Sequence, residues 1–139
     1  MFGLFSLLDW LEFQKDIQMT SDVPSVHQDG TLPVLDLGLR MVGNQVVWEF
    51  FSKPCTSPCT ILYRSALSSK QKRESLLQEG LRRIGNTSRS LDREILNETL
   101  SKFMNQLRIS GYDHRFRYNL LTGILNREEQ IEEKILNQE

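Results

Sequence analysis

The spacing of the apolar residues changes once along this chain, from a period of two to one near 3.6, and that change limits the folds open to it. Leu35, Leu37, Leu39 and Met41 alternate with Asp36, Gly38 and Arg40. Alternation with one apolar side marks a half-buried strand. Pro33 stands at the front of this stretch, where a missing N–H does least harm to a ladder. Gly43-Asn44 follows, and both residues tolerate the positive φ that a tight hairpin demands. The return stretch, Val46-Val47-Trp48-Glu49-Phe50-Phe51, is dense in β-branched and aromatic residues and ends at Lys53-Pro54. A hairpin over residues 32–51 is expected, with Asp36 in mid-strand. Residues 16–20 also alternate and offer a third strand, separated from the hairpin by a loop carrying Pro24, Asp29 and Gly30. Residues 55–65 read as loop, in which Ile61, Leu62 and Tyr63 form a short strand or pack across the sheet.

Beyond residue 65 the helical period takes over. Ser68 or Ser69 can cap a helix reaching about Ile84, striped by Leu76, Leu77, Leu81 and Ile84, and stopped by Gly85-Asn86. A second helix is expected from near Ser90 to Ile109, with Leu91, Ile95, Leu96, Leu100, Phe103, Met104 and Leu107 as its stripe and Ser110-Gly111 as its end. A third is expected over residues 113–126, with Phe116, Leu120, Leu121 and Ile124 on one side. The tail from residue 127 carries five glutamates and either prolongs that helix or frays. The fold class is therefore α+β: a small antiparallel hairpin or meander followed by a three-helix region. Four segments are expected: an apolar N-terminal helix at 1–14, the hairpin region at 15–65, the helical region at 66–127, and an acidic tail at 128–139.

With 139 residues the chain suits one modest core. Residues 1–13 include Phe2, Leu4, Phe5, Leu7, Leu8, Trp10, Leu11 and Phe13. They are too few to span a bilayer and lack the basic start and small-residue cleavage site of a signal peptide. They read as a helix docked on a core or a partner, so no membrane is expected. Two cysteines, Cys55 and Cys59, are too few for a disulfide framework and read as reduced thiols of an intracellular protein. They are also too few for a structural zinc site, which takes four ligands. His27 and His114 are far apart in sequence, and no Gly-rich phosphate loop precedes a helix. No metal, cofactor or small-molecule substrate is expected. Two-metal nucleotidyl transfer needs neighbouring carboxylates, and the chain contains no Asp-Asp pair. Asp36, standing alone, reads as a structural hydrogen-bond partner.

Net charge is −1 overall, yet residues 64–93 hold eight cations (Arg64, Lys70, Lys72, Arg73, Arg82, Arg83, Arg89 and Arg93) against three anions (Glu74, Glu79 and Asp92), a local excess of +5. A second group, His114, Arg115 and Arg117, sits among Tyr112, Phe116 and Tyr118. Cations beside aromatics suit phosphate contact and base stacking; a solvated helix face gives the same pattern.

Six runs, in order, point further: Asp29-Gly30-Thr31-Leu32-Pro33-Val34-Leu35-Asp36-Leu37, Glu49-Phe50-Phe51-Ser52-Lys53-Pro54, Ser65-Ala66-Leu67 with Lys72-Arg73, Gln78-Glu79-Gly80-Leu81-Arg82-Arg83, Phe103-Met104-Asn105-Gln106-Leu107, and Ser110-Gly111-Tyr112 with Arg115-Phe116-Arg117. No one of them is specific. Together they resemble the segment that follows the catalytic core in reverse transcriptases of animal retrotransposons, over roughly residues 16–127. That family carries a Leu-Pro-Phe-Leu-Asp strand, a Phe-Tyr-x-Lys-Pro strand and a helical Lys-Arg … Glu-x-x-Arg-Arg run. Phe51 stands where the family often has Tyr, the family's Ala-Asp-Asp motif lies upstream and is absent, and residues 1–13 do not match.

The resemblance implies that residues 32–54 correspond to the primer grip and the helices to a thumb-like region holding template and primer. It implies a truncated, non-catalytic protein in which Lys70, Lys72, Arg73, Arg82, Arg83, Arg115 and Arg117 contact nucleic acid, an RNA or DNA template–primer being the partner. The alternative is a structural or protein-interaction remnant without nucleic-acid binding, its stripes buried on one another or on a second copy by self-association.

Overall fold

The computed structural model describes residues 21–54 and 56–138. The chain divides into two units, residues 1–32 and 33–139. In the first, Pro24–Val26 form one turn of 3-10 helix, and His27 Nε2 lies 2.8 Å from Asp22 Oδ1. Asp29 Oδ1 accepts the Thr31 N–H at 3.0 Å. This hydrogen bond holds the Asp29 carboxyl below its ordinary value. The third strand offered by residues 16–20 and the helix expected over 1–14 lie outside the described residues.

A three-stranded antiparallel meander has the order β1 (Leu32–Val34), β2 (Leu37–Val42), β3 (Gln45–Phe50). The expected single strand through residue 41 is thus broken, and Asp36 is not in mid-strand. Leu35 and Asp36 form a two-residue turn, with Leu35 at φ 56° and 84% exposed. A two-residue turn keeps the parity of the sequence, so period two runs through it without a mark. Left-handed backbone is also rare at a bulky residue, which hid the turn further. The β2–β3 turn falls at Gly43-Asn44 as expected. Among these two only Gly43 has positive φ, 61°, the pattern of a turn with Gly first.

The register pairs Leu37 with Phe50, Leu39 with Trp48 and Met41 with Val46, so these six share one face. The Phe51 N–H donates to the Asp36 carbonyl at 2.8 Å, and the Ser88 N–H to that of Trp48 at 2.7 Å. The second bond satisfies an acceptor on the outer edge of β3.

Three helices follow: α1 (Ser69–Gly85), α2 (Arg93–Ile109) and α3 (His114–Leu136). Each start has a chemical cause. Ser68 and Gln71 form a capping box on α1, and Asp92 and Asp113 cap the other two through Glu94 N–H and Phe116 N–H. The second helix begins at Arg93 and not near Ser90, because Ser88 bonds to the sheet and Leu91 N–H to the Ser88 carbonyl in a turn. Gly111, at φ 97°, turns the chain between α2 and α3. The glutamate-rich tail prolongs α3 as far as Leu136.

Among the described residues the main core cluster is helical: Leu76 and Leu77 from α1, Leu96, Leu100, Phe103 and Leu107 from α2, Tyr112 from the turn, and Leu120 and Ile124 from α3, while Val47 of β3 is buried apart from it. Each large apolar side chain so buried contributes about 1.5–3 kcal/mol. At Gly80 α1 lies directly against the Ile124 side chain of α3. A methyl group there would lie 2.9 Å from Ile124 Cγ1 and 3.3 Å from Phe103 Cε1. Ile61–Tyr63 form no strand; Thr60 N–H donates to Ser110 Oγ and Tyr63 N–H to the Ser110 carbonyl, which ties the segment to the α2–α3 turn. Among the described residues no helix is long and apolar enough to cross a membrane.

Candidate nucleic-acid interface

The seven cations singled out in the sequence do not act as one set. Lys72, Leu76, Gly80 and Arg83 follow one another at helical spacing on the inner side of α1, and all four are buried. Lys72 Nζ donates to the Tyr63 carbonyl at 2.6 Å and sits 5.5 Å from the Tyr63 ring centroid. Arg83, 9% exposed, is packed between two aromatic rings, its guanidinium carbon 4.9 Å from the Phe50 centroid and 4.5 Å from that of Phe103. Its Nε donates to Glu79 Oε1 at 2.8 Å. Arg82, next in the chain but turned outward, gives Nε and Nη2 to the same carboxylate at 2.8 and 2.9 Å, and Nη1 to Asp36. Burial by itself would push the Glu79 carboxyl up; the hydrogen bonds from Arg82 and Arg83 outweigh it and hold the group below its ordinary value. The hydrogen bonds that Arg82 donates to Glu79 likewise raise the Arg82 guanidinium, against burial.

Lys72 and Arg83 are thus engaged inside the chain, Lys72 with the Tyr63 carbonyl and Arg83 with two rings and Glu79, and Arg82 is held by two carboxylates. Expected to face phosphate, all three have partners within the chain. Their i, i+4, i+8, i+11 alignment with Leu76 and Gly80 was a readable signal that Lys72 and Arg83 belong to the buried side. Asp36, read as a structural partner, is one. Arg117 is half-buried, and its Nε donates to the Asp113 carbonyl at 3.3 Å.

Lys70, Arg73 and Arg115 are exposed and form no ion pair with any described residue; the same holds for Arg64, which was not among the seven. Arg64 stands before α1, Lys70 and Arg73 in its first turns, and Arg115 at the start of α3. Ser69 and Lys72 of α1 and Arg115 and Phe116 of α3 line a common groove of about 430 Å³, so the two helices start side by side. Their positive dipole ends point the same way. Three aromatics floor the groove. Tyr112 stacks on Phe116 at 4.6 Å between centroids and meets Tyr63 edge-on at 5.6 Å. Tyr63 keeps 58% of its surface exposed. Tyr63 was read as part of a short strand or of a segment packed across the sheet, because its partners lie about fifty positions downstream. Burial raises the Tyr112 hydroxyl above its ordinary value, and that oxygen has no hydrogen-bond partner.

Such a surface can hold phosphate oxygens on Lys and Arg and stack a base on Tyr63. Among the described residues no group of three or more His, Cys, Asp or Glu is placed to hold a metal ion. Cys59 is a half-buried free thiol. No protein-family model, curated protein or solved structure matches the chain.

Proposed function

We propose that this chain is a non-catalytic, reverse-transcriptase-like piece whose helical part binds the phosphate backbone of a nucleic acid. The observation that carries this reading is that four exposed cations stand near the starts of α1 and α3, Arg64 before α1, Lys70 and Arg73 in its first turns and Arg115 at the start of α3, where Arg115 and exposed Tyr63 line one groove. Both helix dipoles favour anions there. The six sequence runs that resemble the post-catalytic segment of retrotransposon reverse transcriptases support a template–primer as the ligand. In this reading Lys72, Arg82 and Arg83 shape the site and do not touch the ligand.

The test is fluorescence anisotropy of the full chain with a labelled primer–template duplex across a salt series. Four phosphate contacts give a slope of log K against log salt of roughly −3.6, from about 0.9 per contact. Replacing Arg64, Lys70, Arg73 and Arg115 by alanine removes the binding and leaves the fold intact. A second reading, a structural or protein-interaction piece without nucleic-acid binding, is supported by the internal use of Lys72, Arg82 and Arg83. A folded chain that fails to bind at low salt would establish it over the first.

A further inference from the structure

Tyr63 is held from three sides and still faces out. Its N–H donates to the Ser110 carbonyl at 3.0 Å, its carbonyl accepts from Lys72 Nζ at 2.6 Å, and its ring meets Tyr112 edge-on at 5.6 Å. A methyl group on Gly111 would lie 3.4 Å from Tyr63 Cβ, so the α2–α3 turn sits directly against this side chain. These contacts fix the residue without covering it, since 58% of Tyr63 remains exposed. The groove of about 430 Å³ beside it combines three kinds of group. Tyr63 gives a flat face, Asn119 of α3 an exposed side-chain amide, and Arg115 an exposed guanidinium. Lys72 and Asp113 line the groove as well. Lys72 is engaged with Tyr63, and Asp113 Oδ1 accepts the Phe116 N–H at 2.8 Å as the cap of α3. Two cations against one carboxylate leave one positive charge in excess.

Resting on the nucleic-acid reading above, we propose that this groove takes one unpaired nucleotide of the bound strand, its base stacked on Tyr63, the base edge against the Asn119 amide and the phosphate on Arg115. A base inside a duplex has both faces covered by its neighbours and its pairing edge by its partner. Only an unpaired base offers a face to an aromatic ring and an edge to an amide at once. The amide carries two donors and an acceptor, which suits the mixed edge of a base. One positive charge in excess matches one phosphodiester. The volume agrees: it lies toward the lower end of the roughly 300–1,000 Å³ of small-ligand sites, room for one nucleotide and not for a helix. A ring already fixed by the Ser110 and Lys72 bonds loses little freedom when a base settles on it. The ligand recognised is thus a strand with a gap, an overhang or a free end, in preference to a fully paired duplex.

Fluorescence anisotropy of the full chain compares a labelled oligothymidylate of about 20 nucleotides with a blunt duplex of the same length. At equal salt the single strand binds more tightly. Tyr63→Ala weakens single-strand binding by roughly 5- to 150-fold, the range for losing one stacked base, and leaves duplex binding as it is. Tyr63→Phe keeps the affinity. Stacking releases no counterions, so the salt slope for the single strand is the same in Tyr63→Ala as in the parent, whereas Arg115→Ala flattens it by about 0.7. Circular dichroism spectra unchanged from the parent chain show that the variants remain folded. A duplex bound as tightly as the single strand, or single-strand binding indifferent to Tyr63→Ala, would overturn the proposal and leave phosphate binding standing. Displacement of the strand by micromolar thymidine monophosphate would assign the groove to a free nucleotide and overturn it as well. Failure of the folded chain to bind either probe would remove the nucleic-acid reading itself, and this proposal with it.

Discussion

Replacing Arg83 by alanine removes three interactions from one buried site. The guanidinium leaves the Phe50 and Phe103 rings, 4.9 and 4.5 Å away, and Glu79 loses the donor at 2.8 Å. A desolvated cation–π contact is worth about 2 kcal/mol at its upper end, and a hydrogen bond to a charged group about 1.5–3 kcal/mol. These terms overlap, and Arg82 still neutralises Glu79. The expected loss is about 3–4 kcal/mol, in line with breaking a buried pair. That is a large part of the roughly 5–15 kcal/mol that holds an ordinary domain together. Arg83→Lys keeps the charge but not the flat face that stacks on two rings, and costs about 1–2 kcal/mol. Urea unfolding followed by circular dichroism measures both, with Arg115→Ala as the exposed control, expected within about 0.5 kcal/mol of the parent.

The pH profile gives an independent readout. The Glu79 carboxyl lies below its ordinary 4.5 in the folded chain. Its ion pairs therefore stabilise fully above that pH, and the contribution is lost as pH falls through the lower, folded-state value. In Arg83→Ala this acid-dependent part shrinks. An alanine variant as stable as the parent, with the same acid limb, would refute the view of Arg83 as a packing residue and return it to the candidates for phosphate contact.

Two further outcomes follow from the same packing. Gly80→Ala gains about 1 kcal/mol of helix propensity but forces a methyl group to 2.9 Å from Ile124 Cγ1; overpacking costs about 1–3 kcal/mol, so a net loss is expected in urea titration. Adding Ile124→Val recovers part of it, visible as a favourable coupling in the double-mutant cycle. In the anisotropy assay, alanine at Lys70, Arg73 and Arg115 together flattens the salt slope by about 3, one per contact, without changing the unfolding midpoint.

The hairpin turn and the helix starts were legible because their signals are local. Gly43 supplies the positive φ that its position needs, and Ser68 with Gln71 is a capping box within four residues. The Leu35-Asp36 turn was not legible, since a two-residue turn leaves the alternation in phase and leucine gives no turn signal. The site was half legible. A basic run in sequence counts charges but does not say where they point. Arg82 and Arg83 are neighbours in the chain, yet one is exposed and the other lies between two rings, because one helical step rotates the side chain by about 100°. Tyr63 and Arg64 were missed as site residues because their place is set by Ser110, Tyr112 and Phe116, about fifty residues on.

The core cluster contains residues of the helices and their turn but none from the meander. On its Phe50 face the meander is attached to α1 by Arg83 stacked on Phe50 and by Arg82 bridging Asp36 to Glu79. These two layers thus answer to different solvents. Acid and salt act on the attachment, while urea acts most on the leucine-filled interior. Amide protons of β2 and β3 are accordingly expected to exchange through an opening of the sheet alone, at a free energy below that needed to melt α2, which would make the meander a separate cooperative unit of hydrogen exchange within one continuous chain.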